Sequence, residues 1–144
     1  MKKLKGLIVV LLISLTLFGF CGCQNDADTN ADKDNGTTLN TLGYEQITQA
    51  KAKEIMESGE EYIIIDARTE EEFAGGHIEG AVLIPEYEIA EKAEAQIPQK
   101  DTLILVYCRS GRRSKIASEE LVKLGYTNVK EFGGIIDWQY EIVK

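Results

Sequence analysis

The chain has 144 residues, 44% of them hydrophobic, which is enough for one domain with a real core and too short for two. It carries 24 acidic against 16 basic residues, a net charge of −8, and so lacks the broad basic surface that nucleic acid requires. In chain order, Met1-Lys2-Lys3-Leu4-Lys5 is a short positive stretch, and Leu7 to Phe20 is a nearly unbroken apolar run. That run is too short for a secure membrane span and has the proportions of an export signal; a membrane-anchoring helix is the alternative. Gln24 to Thr38 has no apolar residue larger than alanine, cannot contribute to a core, and reads as a tether. At roughly 5–6 Å × √n it would hold a domain about 20 Å from its point of attachment.

The remainder alternates strand and helix. Residues around Leu42-Gly43-Tyr44 suggest a short first strand, and Thr48 an N-cap for a helix running to Ser58 and ending at Gly59. Tyr62-Ile63-Ile64-Ile65 before Asp66 is a buried parallel strand. Thr69 and Glu72 form the capping box of a short helix that stops at Gly75-Gly76. Ala81 to Ile84 is a third strand closed by Pro85, and Glu86 to Ile97 is mostly helical. Thr102 to Tyr107 is the most apolar strand and therefore central. A helix from Arg113 to Leu124, capped by Gly125, precedes a last strand, Asn128 to Phe132. Gly133-Gly134 then turns into a short C-terminal helix containing Trp138. Five strands with intervening helices predict a three-layer α/β/α fold on a mainly parallel sheet, with ligands bound beyond the carboxyl ends of the strands.

Asp66 and Cys108 both lie at such ends. The loop Cys108-Arg109-Ser110-Gly111-Arg112-Arg113 leads from the central strand into a helix, so its N–H groups and the helix start can face an anion. Arg109, Arg112, Arg113 and Lys115 concentrate positive charge in an acidic chain, a setting that lowers a thiol pKa and makes Cys108 a candidate nucleophile. The competing reading is an inert buried cysteine beside a solvated turn. No His/Cys cluster suggests a metal, and no glycine-rich nucleotide signature is present, so no cofactor is expected.

Two resemblances follow from these residues. Gly19-Phe20-Cys21-Gly22-Cys23 resembles the processing site of bacterial lipoproteins, with Phe20 a departure from their aliphatic preference. It implies a signal peptide over 1–22, lipidation at Cys23, a tether over 23–38, a domain over 39–144, and an extracytoplasmic location at the cell membrane; an ordinary cleaved signal is the rival. Loss of 1–22 removes Lys2, Lys3 and Lys5, takes the net charge to about −11, and leaves Cys108 as the one thiol not lipidated. Membrane attachment would then be covalent, and neither a disulfide framework nor a CxxC pair could form.

The second resemblance is to the rhodaneses, single-domain sulfurtransferases. It rests on Cys108 to Ser114, on Asp66-Ala67-Arg68, Glu72-Phe73 and Gly76-His77-Ile78-Glu79-Gly80-Ala81 running to Ile84-Pro85, and on Gly133-Gly134-Ile135 with Trp138. It implies a five-stranded parallel sheet in the order 3-2-4-5-1. It also implies that Cys108 takes sulfane sulfur from a donor such as thiosulfate and passes it to a thiol or cyanide. Arg109, Ser110, Gly111, Arg112 and Arg113 would cradle the persulfide and hold the donor, with Arg113 the main determinant of loop geometry and Arg112 more exposed. Asp66 would fix loop hydrogen bonds at the pocket edge or be purely structural. Arg68 would pair with Glu71 or Glu72, His77 would sit in a structural turn, and Trp138 would pack the C-terminal helix or line the pocket. A non-catalytic or persulfide-carrier module is one rival. A cysteine-dependent phosphatase or arsenate reductase is another, but there Ser114 stands where the oxyanion-gripping arginine is needed. Oligomeric state is not legible.

Overall fold

The computed structural model describes residues 43–144 together with the backbone of a two-residue strand, β1 (Thr38–Leu39). The expectations for the signal segment, for Cys23 and for most of the tether lie outside the described residues. Among those described, no helix is long and apolar enough to cross a membrane.

Six strands form one sheet: β1, β2 (Glu45–Gln46), β3 (Ile63–Asp66), β4 (Ala81–Leu83), β5 (Ile104–Cys108) and β6 (Val129–Gly134), in the order β1-β2-β6-β5-β3-β4. Every pairing from β2 to β4 is parallel. Counted from β2, the five parallel strands run 3-2-4-5-1, as the resemblance implied. β1 adds an antiparallel edge against β2, with Thr38 opposite Gln46. The helices are α1 (Gln49–Glu57), α2 (Glu70–Ala74), α3 (Ile89–Gln96) and α4 (Arg112–Lys123).

Alternation along β5 divides the core. Ile104, Val106 and Cys108 point to one face, where they meet Ile89 and Ala93 of α3 and Ala117 and Leu121 of α4. Leu105 and Tyr107 point to the other, with Ala52 and Ile55 of α1, Ile78 and Phe132. All five β5 residues are buried, which is why this strand reads as a continuous apolar run rather than an alternating one.

Local signals explain most boundaries. The Thr48 side chain accepts from the Lys51 N–H and starts α1. Thr69 and Glu72 form the reciprocal capping box of α2. Three elements differ in detail from expectation. The first parallel strand is Glu45–Gln46, because Tyr44 and Ile47 on either side turn their side chains into the two core clusters. The stretch from Glu86 opens as a 3-10 turn, Glu86–Glu88, before α3 begins. The C-terminal helix is a single 3-10 turn, Ile135–Asp137, with Trp138 as the residue that ends it.

Candidate active site

The loop after β5 is placed by the topology. β5 lies between β3 and β6, so the loop is flanked by the segment after β3 on one side and by the Gly133-Gly134 turn on the other. Cys108 pairs in register with Gly134 after an irregularity between Val106 and Cys108. That irregularity lets β5 end with its last side chain turned under the loop. Gly111 is the residue before α4 and has φ +92°, the left-handed conformation that glycine adopts at little cost.

Cys108 is 1% exposed and is the free cysteine among the described residues. The Gly111 N–H donates to its Sγ at 3.1 Å. Burial is the largest influence on the thiol and pushes its pKa up. The Ser114 hydroxyl and the N–H groups of Ser114, Ser110 and Gly111 push it down, and together they prevail, leaving it below the ordinary thiol value. A thiol so placed has an increased thiolate fraction and a ring of backbone donors for a negatively charged sulfur.

The charged residues separate into two groups. Arg109 and Arg112 are exposed, as is Ser110, and no ion pair is recorded for either arginine among the described residues. Arg113 is half-buried and engages Glu72 through both ends of its guanidinium, Nη1 to Oε2 at 2.6 Å and Nη2 to Oε1 at 2.8 Å. This bidentate pair ties the start of α4 to the capping box of α2 and so fixes where the loop ends. The Arg113 hydrogen bond is the main reason the Glu72 carboxyl is lowered from 4.5 to about 2, partly opposed by burial and assisted by Thr69.

That shift has a pH signature. A depressed carboxyl contributes stability that is complete above about pH 4.5 and is lost as pH falls toward 2. The difference in thermal stability between the wild type and Glu72→Gln should therefore be largest near neutrality and shrink to nothing by about pH 2. A difference that stayed constant across this range in melting curves would refute the assignment.

Asp66, Arg68 and Tyr107 form a separate, buried group. Arg68 Nη2 lies 2.6 Å from Asp66 Oδ2, its Nε donates to both carboxylate oxygens at 2.9 and 3.0 Å, and Nη2 also donates to the Gly76 carbonyl at 2.8 Å. Tyr107 donates its hydroxyl proton to Asp66 Oδ2 at 2.5 Å and accepts from the Ile78 N–H at 3.1 Å. Burial, followed by the Asp66 charge and hydrogen bond, pushes the Tyr107 hydroxyl far up, so it stays a donor. The expected Arg68 pairing with Glu71 or Glu72 is thus corrected. The side chain folds back on Asp66 because Glu72 is occupied by Arg113 and Thr69, and only Asp66 is buried beside it. The recorded partners of Asp66 are Arg68 and Tyr107, in the core and not in the Cys108 loop.

His77 stacks on Phe73 with ring centroids 3.7 Å apart, and its Nδ1 lies 3.1 Å from the Phe73 carbonyl, which can only accept. Its backbone bridges to Val143, so it anchors the end of the chain. Trp138 packs on Phe132 and Tyr140 and lines a cavity of about 730 Å³ shared with Lys53, Tyr62 and Glu141. Cys108 is not among the lining residues of that cavity, nor of a second one of about 780 Å³ beside Glu60, Pro98 and Asn128.

Three residues of the site were given no role beside the cysteine from sequence: Ser114, Tyr107 and Glu131. Ser114 and Glu131 are buried against the loop, with Ser114 Oγ 2.6 Å from Glu131 Oε1. Glu131 stands beside Lys130 in Asn128 to Phe132, where only Val129 and Phe132 are apolar, and that pattern does not separate a buried carboxylate from an exposed one.

A five-stranded parallel α/β/α sheet with a cysteine cradled between the central strand and a helix start defines the rhodanese class. The family model of the rhodanese-like domain matches residues 48–141, and the chain belongs to that family. Thiosulfate sulfurtransferase PspE of Escherichia coli (strain K12) is 40% identical over 73 residues, covering 51% of this chain and 70% of PspE. The Bacillus subtilis (strain 168) protein YtwF is 38% identical over 100 residues, covering 69% of this chain and 95% of YtwF. Among solved structures, an E. coli rhodanese determined with anions superposes with a TM-score of 0.55 at 37% identity, covering 58% of this chain and 98% of its own. A rhodanese-related protein from Thermoplasma volcanium superposes at 0.58 with 33% identity, covering 68% and 96%.

Proposed function

We propose that this protein is a sulfurtransferase that moves sulfane sulfur from thiosulfate, or a similar anionic donor, to a thiol or cyanide through a persulfide on Cys108. The observation that carries the reading is the buried Cys108 sulfur under a loop whose Gly111 N–H already donates to it at 3.1 Å. Relatives named as thiosulfate sulfurtransferases, and one solved with anions, support it.

The chemistry takes two steps. The Cys108 thiolate attacks the outer sulfur of thiosulfate; a Cys108 sulfur–sulfur bond forms as the donor's breaks, and sulfite leaves with the bonding pair. The terminal persulfide sulfur is anionic, and the N–H groups of Ser110, Gly111 and Ser114 supply the dipoles that hold it. A thiolate or cyanide then attacks the terminal sulfur and returns Cys108 as thiolate, giving ping-pong kinetics. Arg109 and Arg112, exposed and without recorded ion pairs among the described residues, attract and orient the dianionic donor. Arg113 is committed to Glu72 and acts on loop geometry. At the position where phosphatase-type loops need arginine stands Ser114, which is fully buried and offers no charge to a tetrahedral oxyanion.

We further read residues 1–22 as a lipoprotein-type signal, Cys23 as the lipidated residue, and the domain as extracytoplasmic on its tether. The support is the sequence around Gly22-Cys23 and the polar composition of Gln24 to Thr38.

Intact mass after incubation with thiosulfate tests the transfer reading. The expected result is a gain of about 32 Da, one captured sulfur atom, lost again on adding cyanide and absent in Cys108→Ser. No gain in a folded wild type excludes thiosulfate as donor. A gain that cyanide and thiols cannot discharge would mark a carrier instead of an enzyme.

A further inference from the structure

Glu131 is a buried carboxylate, 3% exposed, that the sulfur-transfer steps leave without a task. It lies on β6, in register with Gln46 of β2 and Val106 of β5. Its Oε1 accepts from the Ser114 hydroxyl at 2.6 Å and the Gly133 N–H at 2.9 Å, and its Oε2 accepts from Gln46 Nε2 at 3.2 Å. No lysine or arginine is recorded against it among the described residues. A buried carboxylate satisfied only by neutral donors is costly and retains its acceptor strength for those donors.

Ser114 connects this carboxylate to the nucleophile. The serine is fully buried; its hydroxyl donates to Glu131 Oε1 at 2.6 Å and also lies 3.1 Å from the carbonyl of Gly111, the residue whose N–H donates to Cys108 Sγ, and 3.4 Å from the Gly133 carbonyl, and it pulls the Cys108 thiol down. A hydroxyl has one proton to give. The short O–H···O⁻ contact to Glu131 is the strongest of these.

We propose that Glu131 is a positioning residue for Cys108 that acts through Ser114, competing with the sulfur for the single hydroxyl proton. With Glu131 holding the proton, Ser114 donates less to sulfur, and the thiolate keeps more of its basicity. That suits a nucleophile, since nucleophilicity falls as thiol acidity rises. When a persulfide anion forms, the sulfur becomes a stronger competitor and the hydroxyl can turn to it. The relevance to turnover rests on the sulfurtransferase reading; the proton competition does not.

The surroundings are specific. From β2 the neutral Gln46 faces Glu131, while the Glu45–Lys130 ion pair sits on the preceding rung, whose side chains point to the opposite face. From β5 come Val106 and then Cys108, from α4 Ser114, and from α1 the neutral Gln49, which donates to the Gly134 carbonyl at 2.8 Å. Cys108 is thus the titratable group that Ser114 links to Glu131, through the Gly111 peptide that the serine also touches.

The test is the rate of iodoacetamide alkylation of the Cys108 peptide against pH, followed by mass spectrometry in the full chain without any sulfur donor. Glu131→Gln should lower the midpoint by about one pH unit, as removal of a nearby competing charge does. In a Ser114→Ala background the same substitution should lose most of that shift. An unchanged midpoint in Glu131→Gln overturns the proposal. So does an equal shift in both backgrounds, which would show a charge acting through space without Ser114. If Glu131→Gln does not fold, Gln46→Lys on the half-buried strand β2 weakens the same carboxylate in place, with the same shift and the same dependence on Ser114 expected. Because alkylation needs no sulfur donor, a protein that never turns over thiosulfate can still pass or fail this test. In an active protein the pH profile of thiosulfate:cyanide turnover should move in the same direction.

Discussion

Gly134→Ala is expected to lower thiosulfate:cyanide turnover at least about a hundredfold, the penalty of misplacing a nucleophile by an ångström. The backbone at Gly134 is ordinary extended chain, φ −122° and ψ 143°, so conformation is not the reason for glycine here. Proximity is. A Cβ at this position would stand 2.5 Å from Ser110 Cα, and closer still to the Arg109 carbonyl oxygen. Both are backbone atoms of the nucleophile loop, and neither can swing aside as a side-chain tip can. The loop must therefore lift, taking with it the Gly111 N–H that donates to Cys108 and the carbonyl of Arg109 that accepts from Ile136. Gly59→Ala is the matched control. Gly59 has φ +82°, and a methyl group there would meet nothing within 4 Å, so this variant should lose about 1–2 kcal/mol of stability and no turnover. Wild-type turnover in Gly134→Ala, with its fold confirmed by melting, would show that the loop does not depend on this approach.

The contrast between these two glycines also indicates what a sequence can carry. Local signals were readable because their causes are local. Thr48 and Thr69 cap the helices they precede, and the apolar β5 lies at the centre of the sheet because both its faces are covered. The sheet order came from the resemblance and not from periodicity, which orders no strands. What could not be read are contacts between residues far apart in the chain. Glu72 with Arg113, Tyr107 with Asp66, and Ser114 with Glu131 join residues 41, 41 and 17 positions apart. Arg68 illustrates the error this produces. Glu71 and Glu72, three and four residues on, looked like its partners, but Arg113 arrives from α4 to engage Glu72 and leaves Arg68 to Asp66. The first parallel strand was only roughly located for a related reason: a two-residue strand, Glu45–Gln46, has no apolar run of its own and is defined by β1 and β6 on either side.

Asp66→Ala is expected to be the most destabilising single change away from the Cys108 loop. Asp66 is fully buried and Arg68 only 5% exposed, so alanine would leave a guanidinium in the core with the Gly76 carbonyl as its recorded remaining acceptor. The Tyr107 hydroxyl would lose its acceptor as well. Removing one partner of a buried pair costs about 3–5 kcal/mol, a large part of the roughly 5–15 kcal/mol that stabilises a domain of this size. At about 4 °C or more per kcal/mol, the melting temperature should fall by at least about 12 °C. The cost comes from the stranded charge and not from any large net worth of the pair, because desolvation offsets most of the attraction between buried ions. That account makes a second, sharper demand. Adding Arg68→Met to Asp66→Ala removes the stranded charge and fills the same space with an apolar chain, so the double variant should melt above the single one. If Asp66→Ala melts within a few degrees of the wild type, the group is not the core fastening its geometry implies. If the double variant is no better than the single, the loss belongs to Tyr107 and its bond to the β3 end, and not to the orphaned guanidinium.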